Sequence, residues 1–372
     1  MKNNDFFDKQ SDLTNAKIKI YEKYIESYLI KLLMTYDKCL IVDLFCGPGK
    51  NGDKSGSPLI LLERLKYILT SPILENKGKK EIFIIFNDED PDNIENLKDK
   101  IKSIEFDKSS INIQLYNEKY ENILPKIIKK FSNETLPKFF FLDPFSYSNV
   151  KMKHLQQIMS LSHTEVLLFN PIFHSYRFTK AEFKAEHKTR MFIEEFTFDK
   201  MTDYGNVNNF LLSMKKQLKF ELGLKYVRPV LIDGGEKKNT LILLTKHKKG
   251  MLEMNRVAFG LSEDGNVIKM NFRDQDSFFD ASEVSKQSLT FSELLSKTLE
   301  NGDVTNYEIL DFAIEEGFLP KHAKSIIENL IESGKIKVYN TTGDEVNNKQ
   351  KWYISESPKA MTNFKWNNNE TN

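Results

Sequence analysis

The sequence predicts an α/β protein: a Rossmann-like seven-stranded sheet, largely parallel and closed by an antiparallel hairpin, followed by a C-terminal winged helix domain. Three observations predict it. Apolar strand-like runs alternate with amphipathic helical stretches through the first two thirds of the chain, which is the pattern of a parallel sheet with helices on both faces. The first run, Cys39-Leu40-Ile41-Val42, enters the turn Asp43-Leu44-Phe45-Cys46-Gly47-Pro48-Gly49, and the second, 82–86, ends at the acids Asp88, Glu89 and Asp90. Near the other end, residues 288–356 read as three helices and a two-stranded wing.

Length and composition allow this plan. The 372 residues exceed one ordinary domain, and 40% hydrophobic with 29% charged residues is the balance of a globular chain that buries a core. A formal net charge of +1 supplies no global field toward nucleic acid, so any basic surface must be local. Cys39 and Cys46 are the only cysteines, which excludes a disulfide framework and a four-cysteine zinc site; no metal is expected. Residues 1–15 lack the apolar core of a signal peptide, and no run reaches the length of a membrane span. A cytoplasmic protein without membrane contact is therefore expected.

The elements follow in order. Residues 1–36 form an N-terminal helical segment: Ile18, Ile20, Tyr21, Tyr24, Ile25, Tyr28, Leu29 and Leu32 recur at three-and-four spacing and mark a stripe for the sheet. A Rossmann-like domain spans 37–260. After the glycine turn, Ser57 reads as a helix cap with Pro58 in the first turn, and the loop between Gly49 and Ser57 is long enough to reach over a ligand. Strands at 111–116, 138–142 and 165–169 alternate with helices at 94–104, 120–131 and 150–159. Strands 227–233 and 239–246 flank Gly234-Gly235-Glu236-Lys237-Lys238 as a hairpin, the terminal arrangement of Rossmann-like methyltransferase folds.

Within this domain, about 171–226 is an insertion. Phe173, His174, Tyr176, Arg177, Phe178, Lys180, Phe183, Lys184, His187, Lys188 and Arg190 interleave aromatic and basic side chains there, suited either to stacking on bases and pairing phosphates or to a helical lid with a core stripe and a solvated basic face. Residues 261–287 read as a linker. The winged helix domain occupies 288–356, with Thr305 capping its second helix and the strand 334–339 pairing with 352–354. Lys321, Lys324 and Lys337 are its candidate nucleic-acid contacts, and 357–372 is expected to be a disordered tail.

The glycine turn does not match a phosphate cradle, since it lacks both the three-glycine fingerprint and the Gly-Lys-Ser/Thr close of a P-loop, and Asp43 would repel a phosphate. A ligand with a sulfonium and an amino acid in place of phosphates fits better, which points to S-adenosylmethionine. Asp88, at the end of the second strand, stands where such folds hold ribose hydroxyls. The candidate cofactor residues are Asp43, Phe45, Gly47, Gly49, Asp88, Glu89 and Asn117; the alternative is a turn of purely structural use. At the end of the fourth strand, Asp143-Pro144-Phe145 supplies the candidate catalytic residues, an acid and a proline carbonyl able to hold an amine in line with a methyl group, with an aromatic ring beside them. This segment resembles the Asp-Pro-Pro-Tyr/Phe motif of enzymes that methylate exocyclic amines of bases, but has Phe145 and Ser146 in the last two places. Asn170-Pro171-Ile172-Phe173 repeats the outline one strand later, and capping of the next turn is the structural alternative for Asp143.

From about Lys17 to Tyr353 the chain resembles the three-Cys-motif partner (TcmP) proteins of bacteria and phages. The likeness is carried by the turn 43–49, Gly56-Ser57-Pro58-Leu59, Leu142-Asp143-Pro144-Phe145, Thr245-Lys246-His247-Lys248-Lys249-Gly250 and Gly317-Phe318-Leu319-Pro320-Lys321-His322-Ala323. It implies a fold like that of class I S-adenosylmethionine-dependent methyltransferases plus a winged helix, mobile-element or phage-related context, and a three-cysteine partner similar to radical enzymes that use S-adenosylmethionine. Cys46 stands where alanine is usual. Two functions follow: a methyltransferase acting on or with nucleic acid, or an inactive methyltransferase-fold scaffold that holds nucleic acid or the three-cysteine partner.

Overall fold

The computed structural model describes residues 4–52, 54–105, 110–144, 146, 149–177, 187–200, 203–234, 237–269, 281–346 and 353–367. The chain forms two compact units, Met1–Ala258 with Val267–Met270, and Phe259–Asn266 with Asn271–Asn372.

In the first unit, strands β1 (Lys38–Asp43), β2 (Glu81–Asn87), β3 (Ile111–Tyr116), β4 (Lys138–Leu142) and β5 (Thr164–Asn170) are parallel. β6 (Tyr226–Gly234) and β7 (Lys237–Thr245) form the hairpin, paired down to Gly234↔Lys237, and β7 lies antiparallel to β5. The spatial order is β3-β2-β1-β4-β5-β7-β6, with an eighth strand, β8 (Val267–Lys269), parallel to β6 at the edge. Central runs such as Phe139-Phe140-Phe141-Leu142 are buried on both faces, as a covered parallel sheet requires. Order reverses between β1 and β4, where β1 leads to one side and β4 to the other. Their register, Asp43↔Phe141 and Asp43↔Phe86, brings the acids that follow to one edge.

Helices cover both faces. On one lie α1 (Asn4–Thr35) and α2 (Ser57–Thr70), joined by ion pairs from Arg64 to Glu22 and Glu26. On the other, α4 (Tyr120–Phe131), α5 (Met152–Ser160) and α8 (Val207–Leu222) share a core with Leu40, Val42, Phe140, Leu142, Val166 and Leu168. α3 (Pro91–Lys102), capped by Asp90, follows β2. α6 (Ile172–Arg177) and α7 (His187–Phe196) stand between β5 and α8. α9 (Lys248–Phe259) follows the hairpin. Among the described residues no helix is long and apolar enough to cross a membrane.

Two expectations change in this unit. Among the described residues the sheet has eight strands rather than seven, because Val267-Ile268-Lys269, inside the expected linker, pairs with β6; three residues in a polar stretch leave no period to read. The expected insertion includes α8, whose Phe210, Leu211, Met214 and Leu218 are buried, so residues 207–222 are the crossover helix between β5 and β6. Of the aromatic and basic residues singled out there, Phe178, Lys180, Phe183 and Lys184 lie outside the described residues, and Lys188 and Arg190 are exposed on α7.

The second unit contains α10 (Ala281–Glu300), α11 (Asn306–Glu315) and α12 (Pro320–Glu332) with a sheet of order β9-β11-β10: β9 (Val304–Thr305), β10 (Ile336–Tyr339) and β11 (Asn363–Trp366). α10 starts inside the expected linker. Thr305 caps α11 in a reciprocal box with Glu308, as expected. Phe318 stacks on Phe291 at 3.9 Å and fixes the α11–α12 turn. The strand after α12 pairs with 363–366 instead of 352–354, so the stretch read as a disordered tail holds a core strand, with Phe364 fully buried. Only two apolar residues, Phe364 and Trp366, alternate with the polar Asn363, Lys365 and Asn367, too short a pattern to stand out in a polar stretch. Trp352 lies outside the described residues, and Ile354 joins the core without strand pairing.

Candidate cofactor and acceptor site

The site is built at the carboxyl ends of β1, β2, β3 and β4. Gly47 and Gly49 take left-handed φ of 61° and 79°, which only glycine adopts readily, and a Cβ on Gly49 would lie 2.8 Å from Leu97 Cδ1. The turn is tied from several sides. Gly56 N–H donates to Gly49 O (2.7 Å), Lys100 Nζ to Pro48 O (2.6 Å), and Cys46 N–H to Asn87 O (3.0 Å). The loop expected to reach over a ligand instead folds back as a two-residue ladder, Lys50–Asn51 against Lys54–Ser55, and returns Gly56 to the root of the turn.

Asp43 is 1% exposed. Its Oδ2 accepts from Ser57 Oγ (2.7 Å) and its Oδ1 from Phe45 N–H (3.2 Å), so it pins the turn to the start of α2. Ser57 is thereby not the helix cap; Gly56 holds that place. Burial pushes the Asp43 carboxyl up to about 7, and the nearby charges of Asp143 and Asp88 push the same way, against the bonds from Ser57 and Phe45. Asp88 is 2% exposed: Oδ2 accepts from Gly47 N–H (2.9 Å), while Oδ1 accepts from Asp90 N–H (3.0 Å) and Asn93 Nδ2 (3.1 Å). Asn117 donates to the carbonyls of Asp88 and Glu89, both at 3.0 Å, and braces that acid turn from β3.

Leu44, Phe45, Asn87, Asp88, Glu89, Lys119, Tyr120, Glu121 and Asn149 surround a cavity of about 350 Å³. Phe45 and Tyr120 meet there with ring centroids 5.0 Å apart. The buried Tyr120 hydroxyl has no partner among the described residues, and the Glu89 carboxylate is exposed on the same wall. A wall with three carboxylates (Asp88, Glu89 and Glu121) against one cation (Lys119), and with an unpaired hydroxyl among the described residues, fits a nucleoside carrying a cationic amino acid better than a polyphosphate. Among the described residues no group of three or more His, Cys, Asp and Glu side chains could hold a metal ion.

Asp143 leaves β4 toward this edge, one strand from Asp43. Its Oδ2 lies 2.5 Å from Lys17 Nζ, and Pro144 after it is buried. Phe145 lies outside the described residues. The second outline, Asn170-Pro171, does not join it: Asp143 and Phe169 both meet Lys17 on one face, whereas Asn170, 3% exposed with Oδ1 unpartnered among the described residues, follows on the other. Cys39 and Cys46 are free and buried, and burial raises both thiols, Cys39 to about 12, so neither is a nucleophile.

In the winged unit, Lys321, Lys324 and Lys337 are exposed. Lys324 lies 4.0 Å from Glu328 and Lys337 3.5 Å from Glu345; between 281 and 367 the sequence has ten lysines, no arginine and thirteen acids. The domain thus offers no broad basic field.

Sequence reasoning missed Asn87, Tyr120, Asn149 and Lys17. Asn87 donates to Leu44 O and Glu118 O and accepts from Glu118 N–H, joining three strand ends. A polar residue closing an otherwise apolar strand was its available signal. For Lys17 the signal was its place four residues before Tyr21 on the apolar stripe.

Residues 269–343 match the family model of the GMT-like wHTH domain. No curated protein matches the sequence. Among solved structures, the chain is similar to a DUF519-family protein of Legionella pneumophila (12% identity, TM-score 0.35, 61% of this chain and 85% of that one). It is similar also to a SAM-dependent methyltransferase of Methanosarcina mazei (14%, TM-score 0.29, 56% and 93%) and to a cyclopropane synthase of Mycobacterium tuberculosis (8%, TM-score 0.25, 59% and 83%). At scores this low the fold rests on its strand order: a methyltransferase-like α/β unit followed by a winged helix-turn-helix domain.

Proposed function

We propose that this protein is an S-adenosylmethionine-dependent methyltransferase that acts on or with nucleic acid. The observation that carries the reading is the bond from Gly47 N–H to Asp88 Oδ2, which locks the glycine turn to the second strand's acid beside a cavity, with Asp143 on the adjacent strand end.

In this reading Glu89 and the remaining lone pair of Asp88 take the ribose hydroxyls. Phe45, backed by the Tyr120 ring, offers the base one apolar face, and the open turn at Gly47 and Gly49 receives the amino-acid portion, with Asp43 and Asn117 holding the frame. S-adenosylmethionine supplies an activated methyl group. Asp143 and the Pro144 carbonyl accept hydrogens of the acceptor amine and align its lone pair; orientation of this kind lowers the barrier more than any acid–base step the site could offer. The winged unit brings the substrate through Lys321, Lys324 and Lys337. The likeness to TcmP proteins supports a phage or mobile-element setting, a cytoplasmic location and a three-cysteine partner that completes or directs the reaction.

The test is calorimetric titration of the full chain with S-adenosylmethionine and S-adenosylhomocysteine, then transfer of labelled methyl groups to DNA, RNA and a lysate, with and without a neighbouring three-cysteine protein. Binding with transfer supports the enzyme. Binding without transfer to any acceptor favours the scaffold, a reading that the paired lysines and surplus acids of the winged unit already support. No binding of either compound overturns the proposal.

A further inference from the structure

α1 meets β4 as a ladder. Tyr28 and Tyr24 pack on Phe139, with ring centroids 5.1 and 6.2 Å apart, Tyr21 packs on Phe141 at 4.5 Å, and Lys17 reaches Asp143. Positions 17, 21, 24 and 28 form one helical stripe, and 143, 141 and 139 are alternate positions on one face of a strand, so the rungs match in spacing. Three rungs are aromatic; the fourth, at the strand's carboxyl end, is an ion pair. The Lys17 side chain is only 13% exposed, and its ammonium also lies 4.5 Å from the centre of the Phe169 ring, which register places beside Asp143. Tyr24 adds a 2.7 Å bond to the buried Glu165, fixing the helix against β5 as well.

Lys17 therefore arrives at Asp143 on a rigid support and occupies Oδ2, while Oδ1 has no partner among the described residues. We propose that Lys17 is a positioning residue of the transfer centre: it holds and neutralises the Asp143 carboxylate so that Oδ1 faces the acceptor amine. This rests on the methyltransferase reading above. The acceptor nitrogen uses its lone pair to take the methyl group, the carbon–sulfur electron pair stays on sulfur to give the thioether product, and the surplus proton on nitrogen passes to Oδ1. Positive charge moves from sulfur to nitrogen in that step. A bare carboxylate that paired with the sulfonium would stabilise the reactants more than the transition state and so slow transfer. The Lys17 ammonium removes that attraction while leaving Oδ1 as an oriented acceptor.

The experiment compares affinities of the full chain for S-adenosylmethionine and the uncharged S-adenosylhomocysteine in wild type, Lys17→Met, Lys17→Gln and Lys17→Arg. Loss of the ammonium should shift the ratio toward the sulfonium compound by about threefold to tenfold in the Met and Gln variants, through the carboxylate left unpaired. The Arg variant should keep the wild-type ratio. In an Asp143→Asn background, Lys17→Met should shift nothing, because the effect runs through that carboxylate. A bridge of purely structural use would lower the melting temperature and leave the ratio alone. An unchanged ratio in both neutral variants, or a shift that persists with Asp143→Asn, overturns the proposal. A wild type that binds neither compound removes the methyltransferase reading itself, which is a separate outcome.

Discussion

Gly47 and Asp88, 41 residues apart, are joined by a 2.9 Å bond from the glycine amide to the carboxylate, and the same carboxylate takes Asp90 N–H and Asn93 Nδ2. One side chain thus holds the first turn, the start of α3 and a wall of the cavity. Asp88→Ala should lower the melting temperature and weaken S-adenosylmethionine binding together, by about 1.5–3 kcal/mol of binding energy for lost charge-assisted bonds. Glu89→Gln, on the exposed wall, should weaken binding and leave melting unchanged. Calorimetry and thermal unfolding on the two variants check this; full affinity in Asp88→Ala would remove the acid from the site.

Asp43 titrates in an unusual range because it is buried beside two other acids. With its carboxyl raised from 3.8 to about 7, the folded state binds an extra proton between those values, so its contribution to stability is complete below about pH 4 and is lost as pH rises through 7. Asp43→Asn keeps an oxygen for the Phe45 amide and carries no titrating group. The wild type should lose stability relative to that variant from pH 5 to pH 8, measured by denaturant midpoints; parallel curves would contradict the shift.

The sheet was legible in the sequence because buried strands such as Ile82-Phe83-Ile84-Ile85-Phe86 announce themselves as apolar runs, and Asp43 and Asp143 follow such runs directly, Asp88 after one intervening asparagine. What escaped depends on distant pairing. Phe364 joins the winged sheet although polar residues surround it, and Val267-Ile268 adds an edge strand only because β6 lies open beside it. Asp43 and Asn117 read as ligand residues from position alone; Asp43 also bonds Ser57 and Asn117 the carbonyls of 88 and 89, and neither is among the residues that line the cavity. A one-dimensional pattern marks strand ends but not which side chains a neighbour has already engaged.

The winged unit gives a third prediction. If Lys321, Lys324 and Lys337 contact phosphates, replacing all three with alanine should flatten the dependence of log affinity on log salt by roughly 0.9 for each true contact. Glu328 and Glu345 compete for two of these lysines, so the loss should be smallest at Lys324 and Lys337 taken singly and largest at Lys321. Fluorescence anisotropy on duplex DNA and RNA across a salt series checks it. An unchanged slope in the triple variant would mean that the domain faces a protein.

Asp143 separates enzyme from scaffold. Its carboxylate stands at the end of β4, with one oxygen engaged by Lys17 and Pro144 directly after it. An acid that orients an amine contributes at the transition state and little to cofactor binding, so Asp143→Ala should bind S-adenosylmethionine within a few-fold of wild type while methyl transfer falls by about a hundredfold or more. A side chain that only capped the next turn would give the opposite pattern, with lower stability and transfer retained in the folded fraction. Following labelled methyl groups into DNA, RNA and protein, with and without the three-cysteine partner, distinguishes the two. Equal transfer by wild type and variant would take Asp143 out of the chemistry and leave the ion pair with Lys17 as a structural tie between α1 and the sheet.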